Sequence, residues 1–433
     1  MSHSGAARYS ASVGLVISRS HLAKATLLLV FLLPIWVPAE YMSVLIVLLL
    51  AVWLAASSWR LGRGVVLVLT PILMLLALGV LGSLNHAPYD VLKDVWYVGK
   101  AIPALILGYV LMPYIGSLRS LLSLVVIAAV IASLAHLTQV VSYPNFLSLT
   151  AVDLRVEAGK GYFIVVLGLA CLLAGHRFGF RVYPVYMNWA YVPLGLVLIA
   201  SLYFSFSRTY WASLLIIAFT LYGFWGGARW KSITMLTVAG LLFSAFIVFW
   251  VGDENDTGKT FSSKLTRAVQ EIAITEYSEP RDINRYWRGF EAYKAVKTYL
   301  DGNLLQYVFG QGFGTQIDLE SYWLLGDKEL RFIPTTHNGY VYVLLKTGVI
   351  GLLLLAVFLY RIIRLGRRHA GARRRDIRCG AKLLVGLGWM LAFTTLVISG
   401  VFNKSSLLPA IIMVGLLVSY LRGSALPLYH RQQ

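Results

Sequence analysis

Long apolar runs are the feature of this sequence that most restricts its fold. A helix needs about 17 to 25 apolar residues to cross a hydrocarbon layer of ~30 Å. Runs of about this length lie near residues 24–39, 41–57, 64–82, 96–113, 120–140, 161–175, 189–206, 209–226, 232–251, 339–360, 380–400 and 405–421. Only 13% of the residues are charged, against about 25% in soluble domains. The sequence therefore predicts an all-α, polytopic membrane protein with about twelve transmembrane helices, and it excludes a water-soluble fold.

The distribution of basic residues predicts the orientation. The chain has 38 Lys and Arg against 19 Asp and Glu, a formal net charge of +19. In a soluble protein this charge would suggest nucleic acid as a partner. In a membrane protein Lys and Arg concentrate in cytoplasmic loops, and here the excess falls in alternate loops, most densely from Arg361 to Lys382. We therefore predict cytoplasmic termini, contact with membrane lipids and no nucleic-acid partner.

The predicted spans divide the chain into three regions. Residues 1–251 hold transmembrane helices one to nine, residues 252–338 form a large extracytoplasmic loop, and residues 339–433 hold helices ten to twelve with a basic cytoplasmic loop at 361–382. The large loop contains too many aromatic residues for a disordered segment. We therefore predict that it is folded and largely helical.

Three arginines recur within a helical pattern in that loop. The pattern runs from Pro280 to Leu300, and the spacing of Arg281, Arg285 and Arg288 places them along one stripe of the helix. Like charges on one stripe repel each other. Either neighbouring acids and solvent relieve this repulsion or an anion binds there, so all three arginines are candidates for binding an anionic substrate.

Further cations lie in the other predicted outer loops. Arg208 occupies a turn between two apolar runs, so short that its guanidinium must lie at the membrane surface. A guanidinium fork matches phosphate oxygens two at a time, which makes Arg208 a candidate for binding the diphosphate of a lipid-linked substrate. The alternative is an arginine that reaches lipid headgroups. Arg155, Lys160 and Lys404 are predicted on the same side.

His337 lies just before the tenth predicted span, next to Asn338 and close to Tyr340. A single histidine is more often structural than catalytic. Histidine is nevertheless the residue type suited to take a proton from a sugar hydroxyl at neutral pH. His337 is therefore a candidate general base, with Asn338 and Tyr340 as candidate substrate-binding neighbours.

Other patterns do not support a cofactor or a metal. The segment from Gly310 to Gly314 imitates a dinucleotide fingerprint, but it lacks the strand, turn and helix that such a site needs, so we predict a tight turn. The stretch 253–258 begins like a calcium loop, yet Lys264 stands where a bidentate glutamate is required. Two cysteines cannot form a disulfide framework. We therefore predict no cofactor and no metal.

Several short motifs recur together between about residues 150 and 360. They are Asp153-Leu154-Arg155 before Gly159, Ser205-Phe206-Ser207-Arg208 with Trp211, Arg285-Tyr286-Trp287-Arg288 followed by Ala292, Phe309 to Gly314, and His337-Asn338 with Leu345, Gly348 and Gly351. In combination they resemble the O-antigen ligase and O-antigen polymerase superfamily of bacterial inner-membrane glycosyltransferases. The Asn-Pro-Asn that often follows the first glycine in that superfamily is missing, so Arg155 matches less well than Arg208.

The resemblance implies a reaction and roles for these residues. O-antigen polysaccharide would pass from undecaprenyl diphosphate to a sugar hydroxyl of lipid A-core at the periplasmic face of the inner membrane. His337 would act on the hydroxyl, while Arg208 and Arg288 would stabilise the departing diphosphate. Direct displacement would invert the anomeric carbon without a metal. The remaining candidates for substrate binding are Arg285, Arg155, Asn338, Arg281, Lys404 and Tyr340.

Three other functions stay open. An O-antigen polymerase would join lipid-linked repeat units, and a protein O-oligosaccharyltransferase would transfer the glycan to protein. A flippase or another transporter of lipid-linked oligosaccharide would place charges at mid-membrane, whereas the charges here cluster in outer loops. The single large outer segment resembles a ligase more than a polymerase, so the ligase is our first prediction.

Overall fold

The computed structural model describes residues 18–56, 62–144, 146, 154, 157, 159–182, 188–223, 274–277, 279–325, 328–402 and 404–424. The helices before the large loop are α1 Arg19–Leu32, α2 Ala39–Ala56, α3 Arg63–Leu81, α4 Pro88–Gly99, α5 Ala101–Ile115, α6 Leu118–Ser142, α7 Ile164–Phe178, α8 Tyr191–Phe204 and α9 Arg208–Tyr222. The large loop contributes α10 Pro280–Arg285, α11 Trp287–Leu300, α12 Leu304–Phe309, β1 Ile317–Leu325 and β2 Lys328–Ile333. The chain continues with α13 Gly339–His369, α14 Arg375–Ile398 and α15 Leu408–Ser424.

The predicted helical membrane character is confirmed. Helices occupy each predicted apolar segment that falls within the described residues, while the segment 232–251 lies outside them. Within those residues, six helices are long and apolar enough to cross a membrane, and three shorter apolar helices accompany them. The total of twelve spans and the cytoplasmic location of the termini stay predictions.

Small residues bring the helices of the bundle close together. Side chains added at Gly108 of α5 and Gly415 of α15 would overlap backbone carbonyls of the facing helix, at Ile412 and Leu105 respectively. Such reciprocal close contacts are typical of helix packing in membranes, where apolar side chains gain little by leaving lipid. The α5–α15 pair therefore forms a tight backbone-to-backbone contact within the bundle.

The described part of the large loop, residues 274–333 with gaps, packs around its own apolar core. Phe290, Ala295, Ile317 and Ile333 are buried there. The helix predicted from Pro280 to Leu300 is present, but it breaks at Tyr286, whose φ of −117° and ψ of 35° are not helical. Because of this break, Arg281 and Arg288 lie on separate helices, and the prediction of one continuous arginine stripe is wrong.

A β-hairpin follows these helices, so the helical prediction for the loop is wrong over residues 317–333. Strands β1 and β2 are antiparallel, pairing Ile317 with Ile333 and Leu325 with Lys328, with an irregularity between Asp318 and Trp323. The irregularity interrupts the alternation of buried and exposed positions after the first residues of β1. A sequence pattern of period two is therefore absent over most of this strand.

The glycine-rich segment 310–314 docks onto an interruption of α13. The φ angles of its three glycines lie between 83° and 92°, a region that suits glycine. Gly348 in α13 is non-helical, with φ 64° and ψ −165°, and this break leaves helix carbonyls without their usual donors. The amides of Gln311 and Gly312 fill the gap, donating to the carbonyl oxygens of Leu345 (2.9 Å) and Lys346 (3.0 Å). The predicted turn is confirmed, and its role is to attach the large loop to the bundle.

A buried ion pair also stabilises the contact between the glycine-rich segment and α13. The Nζ atom of Lys346 lies 2.6 Å from Oδ2 of Asp94, and neither side chain is more than 1% exposed. Asp94 also accepts hydrogen bonds from the amide of Gly314 (2.7 Å) and the hydroxyl of Tyr342 (2.8 Å). Lys346 donates in addition to the carbonyl of Thr315. The pair thus ties α4, the glycine segment and α13 together.

Candidate active site

His337 and Glu291 form the centre of the site. One carboxylate oxygen of Glu291, Oε1, accepts from the backbone amide of His337 at 2.6 Å and lies 2.5 Å from its Nδ1. The Glu291 side chain is only 4% exposed, whereas that of His337 is 36% exposed. The carboxylate therefore fixes both the backbone and the ring of His337 from the protein interior and leaves part of the imidazole accessible.

The contact with Glu291 determines which ring nitrogen of His337 can act as a base. A carboxylate accepts hydrogen bonds, so we assign the proton to Nδ1 from this contact. Nε2 then carries the free lone pair. A buried carboxylate that orients an imidazole in this way is the arrangement that histidine bases use in hydrolases and transferases.

The chain around His337 is held at both ends. Asn338 begins α13 as its N-cap, and its Oδ1 accepts from the amides of Tyr340 and Val341 at 3.1 and 3.2 Å. Capping of this kind satisfies amides that have no partner within the helix. On the other side Ser399, just after α14, donates its amide to the His337 carbonyl (2.6 Å) and its hydroxyl to the Thr336 carbonyl (2.7 Å).

Cations converge on this pair. Burial lowers the pKa of Lys404 below that of an ordinary lysine, and the positive charges of Lys160 and Arg288 lower it further, while Glu291 acts in the opposite direction. Charges influence one another in this way only at short range. Lys160 and Arg288 are therefore near enough for their charges to act on Lys404, which lines the same pocket as Glu291, and we call these three residues the cationic cluster.

Arg208 lies at the same end of the bundle. It is exposed at the start of α9, where Ser207 caps the helix by accepting from the amide of Tyr210. Helices α9 and α14 run antiparallel: Lys382 Nζ donates to the carbonyl of Leu221, and a side chain built on Gly386 would lie 3.1 Å from Ile217 Cα.

When this antiparallel pairing is extended along both helices to the first residue of α9, Arg208 lies at the level of Thr395 in α14. Thr395 itself packs against the start of α13, since a side chain built on Gly339 would lie 3.0 Å from its carbonyl oxygen. Gly339 follows His337 by two residues. Arg208 and His337 therefore share one end of the bundle.

The site opens into a pocket of about 230 Å³. Its polar lining consists of Glu291, Thr335, Thr336, His337, Ser399 and Lys404, and its apolar lining consists of Trp287, Leu325, Ile333 and Pro334. The pocket thus combines an apolar wall with convergent polar groups, the two elements that small-molecule sites use for affinity and orientation. Among the described residues, no group of three or more His, Cys, Asp or Glu side chains could hold a metal ion.

The structure brings some of the predicted site residues together and assigns structural contacts to others. His337 and Lys404 line the pocket, and the charge of Arg288 acts on Lys404 from nearby. Arg281 is exposed on the short helix α10, while Arg155 and the side chain of Arg285 lie outside the described residues. Tyr340 donates its hydroxyl to the carbonyl of Ala392 (2.9 Å), and Asn338 caps α13. Their roles in substrate binding stay predictions.

Glu291 is the residue that sequence reasoning missed as the partner of His337. It lies four residues after Trp287, on the apolar side of the predicted helix. A charged residue on a buried helix face requires a partner, and this signal could have identified Glu291. Nothing in the sequence indicates that its partner is His337, because 46 residues separate the two.

The fold and the site together define a polytopic membrane protein with a histidine–carboxylate pair and a cationic cluster at one end of its bundle. A family model described as O-antigen ligase matches residues 193–356, a segment that includes Arg208, Glu291 and His337. No curated protein matches the chain. The family match confirms the predicted resemblance over this segment.

Proposed function

We propose that this protein is an O-antigen ligase of the bacterial inner membrane. It transfers O-antigen polysaccharide from undecaprenyl diphosphate to a sugar hydroxyl of lipid A-core at the periplasmic face. The observation that carries the proposal is the hydrogen-bonded pair of His337 and Glu291 beside the cationic cluster. This arrangement supports the proposal, because transfer from a diphosphate needs a proton acceptor close to positive charges.

The imidazole acts on the acceptor. Nε2 of His337 takes the proton of the acceptor hydroxyl, and the hydroxyl oxygen forms a bond to the anomeric carbon of the donor. The bond from that carbon to the diphosphate oxygen breaks at the same time, and its electron pair leaves with the diphosphate. Because the attack is a direct displacement, the configuration at the anomeric carbon is inverted. Glu291 stabilises the imidazolium as it forms.

The cations act on the donor. Negative charge grows on the diphosphate as it departs, and preorganised cations stabilise that charge. Lys404 lines the pocket, the charge of Arg288 acts on Lys404, and Arg208 offers a guanidinium fork from the start of α9. Side-chain cations supply the positive charge in this scheme, so we propose that transfer needs no divalent metal.

A reconstituted reaction tests the proposal. The purified protein is mixed with undecaprenyl diphosphate-linked glycan and lipid A-core, with and without EDTA. Transfer to lipid A-core should occur in both conditions, and His337→Ala should abolish it. His176→Ala is the matched control, because His176 is exposed near the end of α7 and takes no part in the site. Full activity of the His337→Ala protein would refute the proposed mechanism.

Lipopolysaccharide gels separate the ligase from the polymerase. Cells with His337→Ala should show bare core, whereas loss of a polymerase leaves core with one repeat unit. Arg208→Lys keeps the charge but loses the fork, so it should lower activity clearly. Full activity of the Arg208→Lys protein would indicate that Arg208 only contacts lipid headgroups. If the purified protein transferred glycan neither to lipid A-core nor to another lipid-linked repeat unit, a transport function would be favoured.

A further inference from the structure

The pocket beside His337 has an apolar wall that the proposed mechanism leaves unused. Trp287, Leu325, Ile333 and Pro334 form this wall, while Lys404 contributes to the polar lining. A diphosphate gains nothing from apolar side chains. The wall therefore fits a part of a substrate that is uncharged and has an apolar face, and that lies close to a reacting hydroxyl.

Trp287 is held rigidly in this wall. Its ring packs against Trp323 at 5.9 Å between centroids with an interplanar angle of 62°, and against Phe290 at 5.7 Å. These contacts anchor the indole to the core of the large loop. Within the part of the chain that the structure describes, no hydrogen bond from the indole N–H is found, and Trp287 is only partly buried. The side chain thus combines an apolar face with a donor group.

The helix places this indole near the base. Trp287 and Glu291 are four residues apart on α11, so their side chains lie on the same face with about 5–6 Å between Cβ atoms. Glu291 in turn holds His337 at 2.5 Å. A sugar ring that presents a hydroxyl to Nε2 of His337 therefore reaches the indole.

We propose that Trp287 is the platform on which the terminal pyranose of the acceptor stacks. The C–H groups on one face of a sugar ring carry partial positive charge, and the face of an indole is negative. The indole N–H can donate to a ring hydroxyl. The inference rests on the proposed function, since there the hydroxyl that meets His337 belongs to the acceptor. Trp287 then determines the affinity for the acceptor and leaves that for the donor unchanged.

Steady-state kinetics test the platform. Trp287→Ala should raise the KM for lipid A-core about tenfold, equivalent to about 1.4 kcal/mol, while kcat and the KM for the donor stay within about twofold. Trp287→Phe retains an aromatic face and should recover most of the affinity. The matched control is Tyr322→Ala, which removes an aromatic ring from strand β1 of the same loop, because Tyr322 is 70% exposed and does not line the pocket. A rise in the donor KM, or a fall in kcat alone, overturns the inference.

A binding measurement separates this inference from the proposed function. Lipid-free core oligosaccharide is titrated by calorimetry into the His337→Ala protein and into the protein that also carries Trp287→Ala. Loss of binding only in the second protein supports the platform, even if transfer should prove not to depend on His337. Equal binding to both proteins overturns the platform and leaves the proposed transfer reaction untouched.

Discussion

Removing one charge and then both charges of the Asp94–Lys346 pair tests how the large loop is fixed to the bundle. The two side chains are fully enclosed and 2.6 Å apart. Lys346→Met leaves the Asp94 carboxylate with two neutral donors, the amide of Gly314 and the hydroxyl of Tyr342. Breaking a buried pair from one side costs about 3–5 kcal/mol because the other charge stays behind without compensation. We expect a loss of this size in the free energy of unfolding.

The double variant Asp94→Asn with Lys346→Met removes both charges and keeps an acceptor for the neutral donors. The double variant should lose no more free energy of unfolding than either single variant. The coupling free energy between the two substitutions should therefore be about 3 kcal/mol or more. Unfolding in mixed micelles, followed by tryptophan fluorescence, measures these differences. Lys297→Met is the control, since Lys297 forms an exposed ion pair with Glu320 and should change stability little. Additive losses in the double variant would refute a direct interaction.

Three further variants probe the site and its support. Glu291→Gln should reduce kcat about 30-fold, because two charge-assisted hydrogen bonds to His337 each lose about 1 kcal/mol; unchanged single-turnover rates would contradict this. Burial first, and neighbouring cations second, lower the pKa of Lys404, so the protonated form that binds diphosphate is lost as pH rises through this lowered pKa. Donor affinity should therefore fall at a lower alkaline pH than an ordinary lysine would give, and Lys404→Arg should shift that fall to higher pH in a binding titration. Gly312→Ala should sharply lower the yield of folded protein in size-exclusion chromatography, because φ is 89° and the added carbon would overlap the end of α3; Gly99→Ala, where nothing lies within 4 Å, is its control.

Local patterns predicted the helices well. A membrane-crossing helix reveals itself through the length and composition of one continuous segment, and this rule identified the segments of α3, α6 and α14. The site was partly predictable for a similar reason. His337 and Arg208 lie at the ends of apolar runs, and a polar side chain at such a position is a candidate functional residue on sequence alone.

The contacts that build the site were not predictable, since they join distant parts of the chain. Asp94 and Lys346 are 252 residues apart, and each taken alone resembles a charge near the membrane boundary. The β-hairpin was missed because its irregular pairing between Asp318 and Trp323 removes the alternating pattern that identifies a strand. Tertiary packing, which no short window contains, determines these features.

The interruption of α13 at Gly348 has a consequence for the order of assembly. The carbonyls of Leu345 and Lys346 are the acceptors for the glycine segment, so that segment has no binding surface until α13 has been made. Ser399, which holds the carbonyl of His337, is synthesised later still, after α14. A nascent chain that stops before α14 can thus form the contact between the glycine segment and α13, but it lacks the backbone support of its base, which is completed only when nearly the whole chain has been made.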